Sequence, residues 1–83
     1  MTYTNAILFP VSGDPIPMLL KSLVQVQTLV NGHVAAVKDR GRYILCNEDR
    51  HLKNLEPNTH LPDLVGNVIV TSEDVFENLP YEI

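Results

Sequence analysis

The sequence has little cysteine and no long apolar run, and both absences limit where the chain works. Cys46 is the only cysteine among 83 residues, so an internal disulfide cannot form. No basic-then-apolar segment with a cleavage site precedes the first strand-like run. The charge-free stretches at residues 15–20 and 22–33 contain polar side chains and are too short to span a bilayer. We therefore expect a cytoplasmic protein that does not cross a membrane.

The chain also lacks a strong charge of either sign over most of its length. The net charge is −4, and residues 1–70 contain as many acids as bases, so the surplus lies in an acidic C-terminal segment at residues 71–83. All the bases except Lys21 fall between residues 38 and 53. This mildly basic zone is far from the basic stripe that phosphate backbones require. Nucleic acid is therefore not the expected partner.

Patterns that carry catalysis or bind metal are missing. There is no glycine-rich phosphate loop, no pair of catalytic carboxylates in helical register and no Ser-His-Asp order. Cys46 and His51 are close in sequence, but Cys46 ends an alternating apolar run, which is typical of a small buried hydrophobe rather than a nucleophile. Cys46, His51 and His60 match no zinc spacing. We expect a protein that is not an enzyme and holds no metal or other cofactor.

Length and composition predict a single small domain over residues 1–83. Apolar residues make up 45% of the chain and charged residues 19%, which is ordinary globular usage. A chain this short cannot divide its core in two. Only the acidic segment at residues 71–83 stands apart in composition.

In the first third of the chain, the sequence does not decide whether the segment after the first turn is a helix or a strand. An apolar strand at residues 6–9 ends at Pro10 and is followed by a cluster of turn formers at residues 12–15. The next segment fits a helix with Asp14 as N-cap. It also fits a second strand at residues 16–21, antiparallel to the first.

A capping box favours the second strand, followed by a short helix. Ser22 and Gln25 have the spacing at which the Ser22 hydroxyl accepts from the Gln25 amide, while the Gln25 side chain reaches back to the Ser22 N–H. We predict a helix from Ser22 to about Asn31 that ends at a left-handed Gly32. The alternative is a hairpin turn at Asn31-Gly32, with "VQVQTLV" as a strand, since its residues also alternate.

The second half predicts three more strands and a helix. Residues 33–38 and 42–47 form a hairpin around a three-residue loop at 39–41, in which Gly41 has positive φ. The leucine-rich segment that follows is a loop, held to the core by Leu52, Leu55 and Leu61. A last strand covers residues 64–70, where Gly66 indicates a bulge or close packing. Thr71 or Ser72 then caps a short acidic helix.

Together these elements predict an α+β domain in the order β-β-α-β-β-β-α. The sheet is mostly antiparallel, with about five strands, one packed helix and a short C-terminal helix.

The segments "AILFPVSGDP", "LVQVQTLVNGHVAAV", "ILCNEDRHLKNLEPN" and "LVGNVIV" resemble, in order, a family of small proteins from bacteriophages, plasmids and bacterial genomes. It is the domain-of-unknown-function family numbered 3846, and the resemblance covers residues 6–70. The chain departs from the family pattern at Asn31, where a second glycine is usual, in the turn "EDRHL", and in its acidic tail. The resemblance implies no activity or catalytic residue. It implies a phage or mobile-element setting, and hence the cytoplasm of the host cell.

Two clusters of polar side chains are the candidate binding residues. In the loops of residues 47–58, turn formation is the ordinary role of such residues, but they could also line a small-ligand or nucleotide site. In the hairpin, basic and aromatic side chains could hold single-stranded nucleic acid weakly. The loop candidates are Asn47, Glu48, Arg50 and Asn58, and the hairpin candidates are Lys38, Arg40, Arg42 and Tyr43.

The expected function is therefore that of a non-enzymatic phage or mobile-element accessory protein that binds a host protein, with inhibition of a host or defence function as one form of that binding. The small-ligand module and the nucleic-acid binder are the alternatives. An exposed strand edge also makes a homodimer plausible.

Overall fold

The computed structural model describes residues 4–49, 55–61 and 64–81. The α+β class and the element order predicted from the sequence are confirmed. The strands form one antiparallel sheet in the spatial order β2-β1-β5-β4-β3, so the last strand lies in the centre. The elements are β1 (Ala6–Phe9), β2 (Ile16–Met18), α1 (Leu23–Val30), β3 (Val34–Asp39), β4 (Arg42–Asn47), β5 (Val68–Ser72) and α2 (Glu73–Glu77).

The segment after the first turn is a strand, so the helix capped by Asp14 is the wrong alternative. β2 is short and pairs with β1 through Ile7 and Pro17. The side chain of Asn5 fixes the chain beyond it, because its Oδ1 accepts from the Leu20 N–H at 2.7 Å and its Nδ2 donates to the Leu20 carbonyl at 3.2 Å. These two bonds hold the segment extended up to the start of α1.

At the N-terminal cap of α1, the hydrogen bond accepted by Ser22 forms as predicted, but the Gln25 side chain binds elsewhere. The Ser22 hydroxyl accepts from the Gln25 N–H at 3.2 Å. The Gln25 side chain does not return to the Ser22 N–H. Its Oε1 accepts from the Lys21 N–H at 2.7 Å, and its Nε2 donates to the Leu19 carbonyl at 3.2 Å. The amide therefore ties the extended segment before the cap to the helix.

The C-terminal end of α1 is a helix stop, so the hairpin alternative at Asn31-Gly32 is wrong. The predicted left-handed glycine is also wrong, because Asn31 takes that conformation with φ 64° and ψ 39°, while Gly32 has φ 157°. The Gly32 N–H donates to the Gln27 carbonyl at 2.9 Å and the Asn31 N–H to the Thr28 carbonyl at 3.3 Å. This is a Schellman motif, and asparagine tolerates its left-handed position better than most residues do.

The β3–β4 hairpin is tighter than expected. Asp39 pairs with Arg42, which leaves a two-residue loop instead of the predicted three. Arg40 has φ 53° and Gly41 has φ 78°, and a type I′ turn requires positive φ at both central residues. The turn matches the twist of the flanking strands, so Asp39 joins the ladder instead of the loop.

The last strand begins four residues later than predicted and runs on to Ser72. The chain before it is bent: Gly66 has φ 75°, and Val65 forms an isolated bridge to Pro57. A Cβ on Gly66 would lie 3.1 Å from the Leu55 side chain, which confirms close packing at this glycine. Leu55 and Leu61 are half-buried, whereas Leu52 lies outside the described residues.

The end of β5 leads directly into α2. Of the two predicted caps, Ser72 is the correct one, and its hydroxyl accepts from the Val75 N–H at 3.2 Å. Thr71 lies within β5 and donates from its hydroxyl to the Asn5 carbonyl at 2.9 Å. Glu73 and Asp74 occupy the first turn of α2, where the helix dipole favours negative charge.

The core lies between one face of the sheet and α1. We call this side the helix face and the opposite side the second face. No helix in the described part of the chain is long and apolar enough to cross a membrane. The buried core residues of the helix face are Ala6, Leu8, Leu20, Val26, Val30, Leu45 and Ile69.

Substituting Gly66 by alanine tests the close packing before β5. Gly41→Ala is a matched control, because its φ is nearly the same and its Cβ would meet nothing within 4 Å. Left-handed strain alone destabilises Gly41→Ala by about 1–2 kcal/mol. Gly66→Ala adds an overpacking cost of about 1 kcal/mol or more against Leu55. Urea unfolding measures both, and equal losses would contradict the close approach.

Candidate functional site

Asn47, one of the predicted loop candidates, is a structural residue in this fold. Its side chain is buried, with 1% exposure. Its Nδ2 donates to the Val30 carbonyl at 2.9 Å and to the Asn31 carbonyl at 3.1 Å, and its Oδ1 accepts from the Asp49 N–H at 2.8 Å. The amide therefore satisfies carbonyls at the end of α1 and closes the turn after β4, and both ends of the amide are engaged.

Asn58 has the same kind of role in a different place. It is also 1% exposed, and its Nδ2 donates to the carbonyls of Phe9 and Gly66 at 2.8 and 2.9 Å. Its Oδ1 accepts from the N–H groups of His60 and Leu61 at 2.9 and 3.2 Å. The side chain thereby joins the end of β1 to the loop before β5.

The loop candidates do not form one site among the described residues. Asn47 and Asn58 share no bonding partner. Glu48 is exposed, and its N–H donates to the His33 carbonyl at 2.7 Å, which continues the β3–β4 ladder. Arg50 lies outside the described residues. What is described of these loops fits turn closure, which is the ordinary role of asparagine in such positions.

Removing the Asn47 amide should destabilise the fold. Asn47→Ala leaves the Val30 and Asn31 carbonyls without this donor, with an expected loss of about 2–3 kcal/mol in the free energy of unfolding. Asn78→Ala is the matched control, because its Nδ2 also donates to a helix carbonyl, that of Asp74 at 2.8 Å, but at an exposed site. Its loss stays within about 0.5 kcal/mol. Chemical denaturation compares them, and similar losses would disprove the capping role.

The hairpin candidates point to different sides of the sheet. Side chains alternate between faces along a strand, and the register pairs Lys38 with Tyr43 and Arg42 with Asp39. Tyr43 packs against the core, which places it and Lys38 on the helix face. Arg42 lies on the second face, and Arg40 lies in the turn. The four side chains therefore do not line one surface.

Two of these candidates are engaged by the acidic helix α2. Lys38 Nζ lies 2.6 Å from a Glu73 carboxylate oxygen. The Tyr43 ring packs on Phe76 with centroids 4.6 Å apart, and its hydroxyl donates to Glu77 at 3.4 Å. The acidic segment thus neutralises part of the basic zone within the same molecule.

The ion pair also changes the titration of the lysine. The hydrogen bond to Glu73, together with its negative charge, raises the pKa of Lys38 above the ordinary value of 10.5. A raised lysine pKa contributes stability that is fully present below 10.5 and is lost as the pH rises through the folded-state pKa. The contribution is small because the side chains are 55% and 33% exposed.

A pH series on Lys38→Gln tests this pair. The difference in unfolding free energy between the natural chain and the variant should stay constant from pH 7 to 9, since Lys38 is charged there in both the folded and unfolded states. It should shrink once the pH rises above 10.5. A difference that changes between pH 7 and 9 would contradict the assignment. Lys21→Gln is the control, an exposed lysine for which no described carboxylate lies within ion-pair distance.

The structure shows a row of apolar residues, none of which is among the binding residues predicted from the sequence. Opposed residues in antiparallel strands share a face, and the register aligns one apolar residue from each strand across the second face. We call this set the apolar row. Ile7 is 41% exposed and Val37 46% exposed. The apolar row consists of Pro17, Ile7, Val70, Ile44 and Val37.

Two depressions lie along the apolar row. One, of about 300 Å³, is lined by Phe9, Leu61 and Asp39 among others. The other, of about 410 Å³, is lined by more polar residues, including Thr4 and Ser72. Both are lined by Ile7, Arg42 and Val70. A partly uncovered apolar surface therefore surrounds one arginine.

The sequence contained a signal for this surface. β1 reads "AILF", with no polar residue facing either side, and a continuous apolar strand is typical of a sheet that is covered on both faces. In this sheet α1 covers the helix face, while His60 packs on Phe9 with ring centroids 5.7 Å apart and leaves Ile7 exposed.

Cys46 is fully buried, as predicted for a core cysteine, and its Sγ lies 3.8 Å from the Ala35 carbonyl oxygen. Within residues 4–49, 55–61 and 64–81, no three His, Cys, Asp or Glu side chains are grouped so as to hold a metal ion. His51 lies outside these ranges.

Comparison with known proteins gives no relative: no family model, no curated protein and no solved structure matches the chain.

Proposed function

We propose that the chain is a non-enzymatic accessory protein of a phage or mobile element that binds a host protein through the second face of its sheet. The setting comes from the family resemblance of residues 6–70. The apolar row is the observation that carries the binding role. The proposed binding includes inhibition of a host or defence function as one of its forms.

The apolar row has the composition of an interface core. Ile7 and Val37 are 41% and 46% exposed, whereas Leu8 and Leu45 on the helix face are buried in the core. Interfaces combine a desolvated apolar centre with a polar rim. Arg42 and Asp39 supply such a rim beside the smaller depression.

The depressions indicate what the partner presents. A cavity of about 300 Å³ walled by Ile7, Phe9 and Leu61 suits one large apolar side chain, the kind of anchor that dominates binding energy. Arg42 lines both depressions and favours a carboxylate next to that anchor. The expected partner surface is an exposed apolar residue flanked by an acid.

The two alternatives have less support from the described residues. A ligand site in the loops of residues 47–58 would need the amides of Asn47 and Asn58, and both are occupied by backbone groups. A nucleic-acid site on the hairpin would need the basic side chains on one surface. Lys38, however, is paired with Glu73 on the helix face, and Arg42 lies on the second face.

Capture from host lysate with matched variants tests the proposal. Ile7→Lys places a charge within the apolar row, and Val24→Lys places one on α1, where the side chain is similarly exposed at 39%. We expect that the natural chain and Val24→Lys retain the same host protein. The amount of that protein retained by Ile7→Lys should be about tenfold lower, which corresponds to a loss of ~1.4 kcal/mol in binding free energy.

Quantitative mass spectrometry of the retained proteins gives the readout, and thermal unfolding confirms that both variants fold. A bait that retains nothing above background contradicts the proposal. So does a protein retained equally by all three baits, since its contact would lie elsewhere.

A further inference from the structure

The two edges of the sheet are protected to different degrees. β2 has three residues with Pro17 in the middle, and a proline offers no N–H to a neighbouring strand. β3 has six residues, no proline and four consecutive small apolar residues. These side chains are half-buried or exposed. Natural proteins rarely leave such an edge open, because it is a template for another strand.

The backbone groups that face outward from β3 follow from its pairing with β4. The Glu48 N–H donates to the His33 carbonyl, so these two residues form a hydrogen-bonded pair. Such pairs alternate along an antiparallel ladder, and the register runs unbroken to Asp39 and Arg42. The residues between the bonded positions point their N–H and C=O groups away from β4. They are Val34, Ala36 and Lys38.

We propose that β3 pairs with β3 of a second copy of this chain, antiparallel, about a two-fold axis at Ala36. In this register Ala36 of one copy lies opposite Ala36 of the other, and Val34 lies opposite Lys38. Every outward-facing backbone group of the strand then has a partner, and the two sheets become one. A two-fold dimer with an isologous contact is the commonest form of soluble oligomer.

The turns at the ends of β3 select this register over its neighbours. An axis at Val37 would place Val34 opposite Arg40, which has left-handed φ 53° and has left the strand. An axis at Ala35 would place Asp39 opposite Asn31, which has left-handed φ 64°. Only the axis at Ala36 keeps both turns outside the paired segment.

The side chains fit the same register. On the second face, His33 of one copy lies opposite Asp39 of the other, so an imidazole donor faces a carboxylate at each end. Ala35 lies opposite Val37, which covers the exposed part of that valine. On the helix face, Ala36 meets only its own methyl group across the axis, and no like charges are opposed.

This contact uses an edge of the sheet and not its second face. The test of the dimer is therefore independent of the test of the proposed host partner. It has one geometric effect on that surface. The apolar row of each copy ends at Val37, next to the other copy, so the two second faces continue into each other.

Charge variants at the axis test the pairing specifically. Ala36 is exposed, and its side chain would meet its own copy across the axis. Sedimentation equilibrium of the natural chain should show a dimer at micromolar concentration. Ala36→Glu and Ala36→Lys should each raise the dissociation constant at least about tenfold through like-charge repulsion. An equimolar mixture of the two variants should restore dimers, because a Glu then faces a Lys.

Two further variants separate the backbone contribution from folding. Ala36→Ser keeps the N–H and should stay dimeric, while Ala36→Pro removes only an outward N–H and should become monomeric with unchanged circular dichroism. A monomeric natural chain at 100 micromolar overturns the proposal. So do a dimer that persists in Ala36→Pro and a mixture of charge variants that stays monomeric.

Discussion

The fold depends on the completion of helix α1 by distant parts of the chain. With eight residues, α1 is too short to be stable alone in water, and the backbone groups at its ends need partners. At its start, the N–H groups of Leu23 and Val24 donate to the carbonyls of Pro80 and Tyr81 at 2.7 and 3.0 Å. At its end, Asn67 donates to the Leu29 carbonyl at 3.1 Å, next to the carbonyls that Asn47 satisfies. The helix therefore exists only when the sheet and the segment after α2 are both in place.

The sequence predicted what local spacing determines. Ser22 capped the helix as expected because its partner is three residues away, and Gly41 took positive φ because the turn demands it. The start of β5 differs from the prediction because the bend before it depends on Asn58, whose side chain reaches the Gly66 carbonyl from eight residues upstream. The roles of Asn47 and Asn58 were hidden for the same reason. Polar residue type marked them as binding candidates, while their partners lie up to 49 residues away and no periodicity reveals them.

The charge pattern of the sequence also changes its meaning in the fold. In the sequence, a basic zone and an acidic segment look like two separate interaction features. In the fold, α2 lies beside the hairpin, so that Glu73 meets Lys38 and Glu77 meets Tyr43. The second face keeps its apolar row partly exposed, with Arg42 and Asp39 beside it. This cancellation is the physical reason that the proposed function rests on Ile7 and its neighbours rather than on charge.

The capping of α1 by Pro80 and Tyr81 also bears on how the chain is made. A ribosome delivers residues 23–30 long before residues 80–81, and the first turn of α1 lacks two of its acceptors until the latter have emerged. The central strand β5 emerges only shortly before them. Folding should therefore finish only after residues 80–81 have left the ribosome, and until then β1, β2 and the β3–β4 hairpin remain separate apolar pieces that a chaperone would recognise.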